Sequence, residues 1–426
     1  MIPNLIKRIT QSTGSGLLRG SAFFFISTTI VNVGNYLMNL ILGRYLGPAA
    51  FADVSLMVTL MLVVSFVTAM LGLVTSKFTA MFAAVNDLSR VTGLRLWLGR
   101  RAWWVGVAMM LFLGLGSPLL QKFFNTVSFW PFVILAVGMP MYMSQAVDRG
   151  VLQGQTRFGL LAISYQAEMW VRFVVAISLV LLGFAVNGAV AGLTLSFIAT
   201  WMVASRARIG LPKEGSLTQK ERQDTIAFVV PASAALLAQI LINNSDILIV
   251  KHFFPSAAAG QYAALALIGR VVFFATWSVV TTLFPIVAQK HQLGEPHHHL
   301  LFVSLGIVAV ISTAFVLLTL IAPVFIAQVL FGSAYVSIAP LLAAYAIATA
   351  LYSMANVVIN YRLSIGSSGG SAMAVAAGVA QVIGLWVFHS TLQEVVYVQI
   401  YIMAVLVVAL LVWDLWLSRP SHLVAA

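Results

Sequence analysis

Residues 35–56 read NYLMNLILGRYLGPAAFADVSL. A shift of 208 positions leads to residues 243–265, NNSDILIVKHFFPSAAAGQYAAL, and lays Asn35 over Asn243. Both stretches follow one plan: a helix with polar side chains, a short turn, a run of small residues and the start of the next helix. The sequence therefore predicts a chain of two halves that are built alike.

The composition around these stretches is that of a membrane protein. Hydrophobic residues make up 61% of the 426 residues and charged residues 8%, whereas an ordinary soluble domain carries about 25% charged residues. Long apolar runs without alternation favour helices over a β-barrel. We predict an all-α integral membrane protein with twelve transmembrane segments, each of roughly 20 residues. Their predicted limits are 20–42, 50–74, 102–120, 128–147, 158–182, 184–204, 225–249, 257–286, 300–323, 336–360, 371–389 and 394–416.

The basic residues are distributed unevenly across this topology. With the N-terminus inside, 18 of the 23 Lys and Arg residues fall in inner loops and tails. The outer connections hold Arg44, Lys122 and Lys251, while Arg172 and Arg270 lie within segments. By the positive-inside rule, both termini are expected in the cytoplasm. The net charge of +12 is therefore an orientation signal, and we expect no nucleic-acid partner.

A polar stretch near the midpoint has six predicted segments on either side. We expect an N-terminal six-helix lobe at 1–205, a cytoplasmic linker at 206–224 and a C-terminal six-helix lobe at 225–426. Because six is even, both lobes enter the membrane in the same direction and form a parallel repeat. Two lobes of this kind are expected to leave a central cleft for a substrate.

Polar residues recur at helical spacing in the first segment of each half. One interpretation is hydrogen bonding between helices, worth about 0.6 kcal/mol per pair in membranes. The other is a hydrated face that lines the cleft, because polar groups in a span usually face protein or water. Their occurrence on equivalent helices favours the second. The two stripes are Thr28, Asn32, Asn35 and Asn39, and Gln239, Asn243 and Asp246.

The fifth segment carries Glu168 and Arg172 four residues apart, on one face of a helix. Each ion alone would cost about 2.5–3.5 kcal/mol at the membrane centre. Glu168 and Asp246 are candidate coupling or charge-pair residues. Two interpretations remain open for the Glu168–Arg172 pair: a structural pair that neutralises itself, or a functional one in which Arg172 meets an anion or Glu168 titrates.

The eighth segment carries Arg270 and has no acid in its own helix. Because arginine stays protonated, its charge must be compensated by Asp246 on the seventh segment or by an anionic ligand. A guanidinium matches phosphate oxygens in a bidentate way, so we expect Arg270 to bind substrate. Arg19, at the inner end of the first segment, is either a second phosphate contact or a plain topology determinant.

No nucleotide-binding or zinc-protease motif occurs in the chain, and it has no cysteine. Three adjacent residues, His297, His298 and His299, cannot all converge on one ion, so we expect no metal and no cofactor. The loops are too short for a catalytic domain. We therefore expect a protein that is not an enzyme.

At the first outer turn, LILGRYLGPAAFADVSL resembles the leucine-glycine-proline turn of Wzx-like oligosaccharide flippases, the polysaccharide biosynthesis protein family. NNSDILIVKHFFPSAAAGQYAALALIGR resembles the corresponding stretch of their second half. The superfamily also holds the MATE transporters and the lipid II flippases. The resemblance extends in layout along nearly the whole chain and implies a MATE-like, V-shaped pair of six-helix bundles.

The resemblance also implies a function. Such proteins move undecaprenyl-diphosphate-linked oligosaccharides from the inner to the outer leaflet of the bacterial inner membrane by alternating access. It places Arg270 and Arg19 at positions where lipid II flippases carry cavity arginines, and Asp246 in the turn motif of the seventh segment. The expected substrate contacts are Arg270, Arg172, Arg19, Asn35 and Asn243. Membrane lipid and a polysaccharide polymerase or export machinery are the other expected partners.

Two other functions remain open at this point. A MATE-like small-molecule or multidrug antiporter would share the fold, although the first segment lacks the lone carboxylate that many MATE transporters use for ion coupling. A membrane-embedded glycan polymerase or ligase would be expected to carry a sizeable outer loop with catalytic residues, which this sequence does not have.

Overall fold

The computed structural model describes residues 2–367 and 369–417, and their side chains except at 2–22, 230–235, 281, 285 and 417. All regular elements of these residues are helical, which confirms the predicted all-α class. Short π-helical or 3-10 turns lie at Val180–Phe184, Ser205–Arg208 and Ser333–Leu341. The α-helices are α1 (Ile2–Ala84), α2 (Leu88–Leu115), α3 (Ser117–Phe123), α4 (Trp130–Val137), α5 (Met139–Gly154), α6 (Phe158–Leu179), α7 (Ala185–Ala204), α8 (Gln219–Phe253), α9 (Ser256–Gly269), α10 (Val271–Gln292), α11 (His298–Ile321), α12 (Pro323–Phe331), α13 (Leu342–Ser364), α14 (Gly369–Val387) and α15 (Leu392–Leu417).

The first element, α1, consists of two helices that meet at Gly47. This glycine has φ 73° and ψ 172°, outside the helical region, in a left-handed range that glycine adopts without steric cost. Pro48 follows and has no N–H to donate to the preceding turn. The break therefore lies inside the quoted stretch, between the first two predicted segments.

A second break separates α6 from α7. Gly183 has φ 91° within the π-helical turn, and α7 begins two residues later. The two helices then pack so closely that a Cβ on Gly192 of α7 would lie 2.6 Å from the backbone nitrogen of Ala176 on α6. Small residues allow this kind of close packing between helices in membranes.

Nine stretches of the described residues are long and apolar enough to cross a membrane. Two of them exceed one crossing by far: Phe23–Ala84 has 62 residues and contains Gly47, and Phe158–Arg208 has 51 and contains Gly183. Helix α8 covers the predicted seventh segment but is not among the nine, and its residues 230–235 have no described side chains. The predicted count of twelve crossings stays a prediction.

The chain divides into two compact units. One comprises the chain up to Leu46 together with Leu60–Ser233, and the other comprises Gly47–Thr59 together with the chain from Ala234 onward. The two predicted lobes and the linker at 206–224 stay a prediction. Each unit contains one of the two groups of polar residues described below.

In the first unit, the loop after α7 packs against α2. A Cβ on Gly93 would lie 2.6 Å from the backbone of Ser216, so only glycine fits there. The hydroxyl of Thr92 donates to the carbonyl of Pro212 at 3.1 Å. This polar loop is therefore a fixed part of the unit.

In the second unit, α13 occupies the centre of the core. Its fully buried Ala355 and Val358 belong to one apolar cluster with Val287 of α10, Leu301 of α11 and Leu410 of α15. Burial of such side chains orders the helices that carry the polar residues of this unit.

The short segment Gly47–Thr59 joins the second unit by close backbone contact and by an ion pair. A Cβ on Gly260 would overlap the carbonyl group of Pro48. Lys251 Nζ lies 2.8 Å from Asp53 Oδ1, and both side chains are buried. Lys251, expected in an outer connection, thus lies inside α8, where the carboxylate compensates its charge.

Candidate functional site

In the first unit, one carboxylate holds two arginines. Glu168 Oε1 accepts a hydrogen bond from Arg172 Nη2 at 2.6 Å, one turn away on α6. Its other oxygen, Oε2, lies 2.8 Å from Nη1 of Arg149 on α5. We call these three residues the Glu168 cluster. Two cations around one anion leave it with one surplus positive charge, which is costly in a membrane unless an anion compensates it.

Arg149 is held at every nitrogen of its guanidinium. Beyond the bond to Glu168, its Nε donates to Ser164 Oγ and its Nη2 to the Ser164 carbonyl, both at 3.0 Å. The guanidinium also lies 3.8 Å from the centre of the Tyr165 ring. Arg149 therefore acts as a fixed counter-ion of Glu168. In the predicted topology Arg149 belongs to the inner loop after the fourth segment, 128–147, and hydropathy gives no sign of this role.

Arg172 is held more loosely. Apart from Glu168, it donates to Asn35 Oδ1 from Nη1 and to Ser196 Oγ from Nε, both at 3.4 Å. These bonds are longer than the usual 2.9–3.0 Å for N–H···O. Beyond its pair with Glu168, Arg172 thus makes longer hydrogen bonds than Arg149 does.

In the second unit, Asp246 of α8 accepts three hydrogen bonds. Its Oδ1 lies 3.1 Å from Nη2 of Arg270, which also donates to the carbonyl of Asn243. Its Oδ2 accepts from the hydroxyls of Tyr262 at 3.0 Å and Tyr345 at 2.8 Å.

Gln399 extends this group of residues, because its amide donates to the Tyr262 hydroxyl at 2.7 Å. Asp246, Tyr262, Arg270, Tyr345 and Gln399 form what we call the Asp246 network. One cation faces one anion, so the network carries no net charge.

A small cavity borders the Asp246 network. Its volume is about 20 Å³, and its polar lining includes Asn243, Arg270, Thr349 and Gln399. A cavity of this size holds about one water molecule.

The asparagines of the two polar stripes make the same local bond. The Asn39 amide donates to the Asn35 carbonyl at 2.8 Å, and the Asn243 amide donates to the Gln239 carbonyl at 2.8 Å. Each bond spans four residues within one helix. These two amides thus bond within their own helices, and the side-chain oxygen of Asn35 is the acceptor that faces Arg172.

The structure brings six of the seven predicted site residues into the two groups. Asn35 contacts Arg172, which pairs with Glu168; Asn243 contacts Arg270, which pairs with Asp246. The side chain of Arg19 lies outside the described residues. Substrate-binding and coupling roles for all seven stay predictions.

A further polar group surrounds His297, which directly precedes α11 and lies outside the candidate spans. His297 Nε2 lies 3.2 Å from Nδ1 of His291, and its Nδ1 lies 3.0 Å from the Tyr361 hydroxyl. Burial, and then the positive charges of neighbouring histidines, lowers the pKa of His297. Next to it, His298 Nε2 lies 3.0 Å from Asp414 Oδ2. Within the described residues, no three His, Cys, Asp or Glu side chains are placed to share a metal ion.

Residues 41–340 match a family model described as polysaccharide biosynthesis protein, which covers more than half of the chain. A comparison with curated proteins gives no match. The matched range contains the whole of the second quoted stretch and residues 41–56 of the first, so it includes the corresponding turns of both halves.

Solved structures of membrane transporters resemble the chain over nearly its whole length. An inward-facing multidrug resistance MATE family transporter of the MOP superfamily shares 16% identity at a TM-score of 0.75, over 90% of this chain and 96% of that one. The lipid II flippase MurJ in its inward closed conformation shares 12% identity at a TM-score of 0.73, over 93% and 87% of the two chains. A MOP superfamily transporter from Pyrococcus furiosus shares 18% at a TM-score of 0.60, over 94% of each.

Because these structures share only 12–18% identity with the chain, the similarity shows a shared fold. The prediction of a MATE-type all-α membrane fold is confirmed, and so is the predicted resemblance to the superfamily of MATE transporters and flippases. The chain is a multi-pass membrane protein.

Proposed function

Since the chain belongs to the polysaccharide biosynthesis protein family, we propose that it is a flippase for an undecaprenyl-diphosphate-linked oligosaccharide. It is a membrane protein of the transporter and flippase type, with the fold of MATE transporters and MurJ. In this proposal it moves the lipid from the inner to the outer leaflet for surface polysaccharide biosynthesis, by alternating access and without covalent chemistry. The family match over residues 41–340 carries the proposal.

The buried arginines support a diphosphate substrate. Arg172 belongs to a cluster with surplus positive charge, and Arg270 borders a cavity lined by polar side chains. A guanidinium binds phosphate oxygens through paired N–H groups. The Asn35 and Asn243 faces supply hydrogen-bonding groups for the sugar, and Arg19 is a further candidate phosphate contact. We assign Glu168 and Asp246 to charge compensation.

The membrane potential favours outward movement of this substrate. Each negative charge that leaves an inside-negative cell gains about 2.3 kcal/mol per 100 mV. A diphosphate therefore carries its own driving force, and the proposal needs no coupling ion. We place the protein in the bacterial inner membrane with both termini in the cytoplasm, beside a polysaccharide polymerase or export machinery.

The proposal is tested by deleting the gene and analysing the lipids by mass spectrometry. We expect diphosphate-linked oligosaccharides to accumulate while surface polysaccharide falls. The wild-type gene restores export and Arg270→Ala, at equal membrane abundance, does not. Normal export in the Arg270→Ala strain would contradict the assigned site, and an unchanged lipid pool would contradict the function.

The small-molecule antiporter is the second candidate, because the chain shares its fold with multidrug MATE transporters. It predicts that the deletion strain becomes sensitive to cationic drugs and keeps its lipid pool. It also predicts that a carboxylate, Glu168 or Asp246, is essential for efflux. The same deletion strain therefore separates the two functions.

A further inference from the structure

The guanidinium of Arg270 already binds an anion that belongs to the protein. Asp246 Oδ1 lies 3.1 Å from its Nη2, and the same nitrogen donates to the Asn243 carbonyl. The Asp246 side chain is 1% exposed and that of Arg270 is 14% exposed. A carboxylate and a phosphate offer a guanidinium the same kind of paired oxygen acceptors.

The two oxygens of Asp246 have separate partners. Only Oδ1 faces Arg270, while Oδ2 accepts from the hydroxyls of Tyr262 and Tyr345 at 3.0 and 2.8 Å. The Gln399 amide donates to the Tyr262 oxygen, so that hydroxyl has its proton free to donate to Asp246. If Arg270 leaves, the carboxylate keeps two hydrogen bonds, which reduces the cost of a buried unpaired charge.

We propose that Asp246 is an internal competitor for the phosphate group of the substrate at Arg270. This inference rests on the proposed flippase function. In the substrate-free protein Asp246 compensates Arg270; an arriving phosphate takes over the guanidinium, and the two tyrosines hold the released carboxylate. On departure of the substrate, Asp246 binds Arg270 again.

The cavity beside Arg270 fits this exchange. Arg270 is part of its lining, so the guanidinium is reachable from the cavity. Because Arg270 Nη2 already contacts Asp246 and the Asn243 carbonyl, a phosphate that takes over this nitrogen displaces Asp246 from it. Asp246 is therefore a positioning residue, which acts on the substrate through Arg270.

The test is the binding of inorganic diphosphate to the purified full chain in nanodiscs of uncharged lipid, measured by isothermal titration calorimetry. Asp246→Asn removes the competitor, and we expect it to tighten binding by about tenfold. Tyr345→Phe and Tyr262→Phe remove the donors that hold the released carboxylate, and we expect each to weaken binding. A purely structural role would move all three variants in the same direction.

The double variant Asp246→Asn with Arg270→Ala separates competition from a general charge effect. Without Arg270 there is nothing to compete for, so Asp246→Asn should change binding no further. Tightening that persists in the double variant overturns the proposal, as does unchanged or weaker binding in Asp246→Asn alone. If Asp246→Asn does not fold, unchanged or tighter binding in both tyrosine variants overturns it.

The same titrations distinguish this proposal from the proposed function. If Arg270→Ala abolishes diphosphate binding and Asp246→Asn has no effect, the competition fails and the phosphate role of Arg270 stands. If Arg270→Ala binds diphosphate like the wild type, the site assigned under the proposed function fails, and the competition with it.

Discussion

The Glu168 cluster and the Asp246 network both bury an arginine in the membrane, but they compensate its charge differently. In the first, Glu168 is shared by Arg149 and Arg172, and one positive charge is left over. In the second, Asp246 faces Arg270 alone and has two tyrosine hydroxyls in addition. The Glu168 cluster therefore carries a net positive charge that attracts anions. In the Asp246 network the Arg270–Asp246 pair is neutral and has to separate before Arg270 can bind another anion.

The largest effect is expected when the shared carboxylate is removed. Glu168→Gln leaves Arg149 and Arg172 close together without an anion, and we expect the free energy of unfolding to fall by about 3–5 kcal/mol. Arg172→Gln leaves the neutral Arg149–Glu168 pair and should cost clearly less. Chemical unfolding of both variants in detergent checks the order, and equal losses would break the comparison.

The two sites differ in how far the sequence predicts them. Glu168 and Arg172 are four residues apart, and the helical repeat alone puts them on one face. Asp246 is identified as a partner of Arg270 because it is the acid on the preceding segment. The positions of such pairs follow from local geometry and charge.

The rest of each site depends on packing between helices that are distant in the sequence. Tyr345 lies 99 residues from Asp246, and Gln399 lies 137 residues from Tyr262. Arg149 and Lys251 each stand next to the end of an apolar run, so hydropathy predicts both in connections. Periodicity and hydropathy describe one helix at a time, so they do not show which helices meet.

The next largest effect is expected from a substitution that destabilises the second unit alone and so separates it from the first. Gly260→Ala places a methyl group against the carbonyl of Pro48, and overpacking of this kind costs about 1–3 kcal/mol. We expect faster hydrogen exchange in the second unit and unchanged exchange around the Glu168 cluster.

The matched control for this change is Gly306→Ala in α11. A Cβ on Gly306 meets no atom within 4 Å, and alanine is the better helix former, by about 0.5–1 kcal/mol. Gly306→Ala should therefore leave stability unchanged or raise it. Equal losses in the two variants would show that the contact with Pro48 is not the cause.

The surplus charge of the Glu168 cluster predicts a smaller effect on binding. Arg172→Gln makes the cluster neutral, and we expect inorganic diphosphate to bind about tenfold more weakly. Arg172→Lys keeps the charge and should restore part of the affinity. The contrast between the two units fails if calorimetry gives the same affinity for both variants and the wild type.

The smallest effect concerns pH. Since its surroundings lower the pKa of His297, the folded protein favours the neutral ring, while an unfolded histidine titrates near pH 6.5. This contribution to stability is fully present above about pH 6.5 and is lost as the pH falls toward the lower folded pKa. We expect a lower Tm at pH 5.5 than at pH 7.5.

His297→Gln should reduce that difference in Tm. An acid-induced loss of stability that is identical in His297→Gln would assign the titration to another group.

The ion pair of Asp53 with Lys251 has a consequence for biogenesis. The two residues are about 200 positions apart, and domains generally form in the order in which the ribosome delivers the chain. Residues 47–59 thus emerge early, yet the partners described for them, Lys251 of α8 and Gly260 of α9, are synthesised about 200 residues later. Until then a nascent chain has to accommodate an acidic side chain near an apolar segment without its partner. A ribosome-bound intermediate that ends before Lys251 should for this reason depend on membrane insertion factors that shelter Asp53.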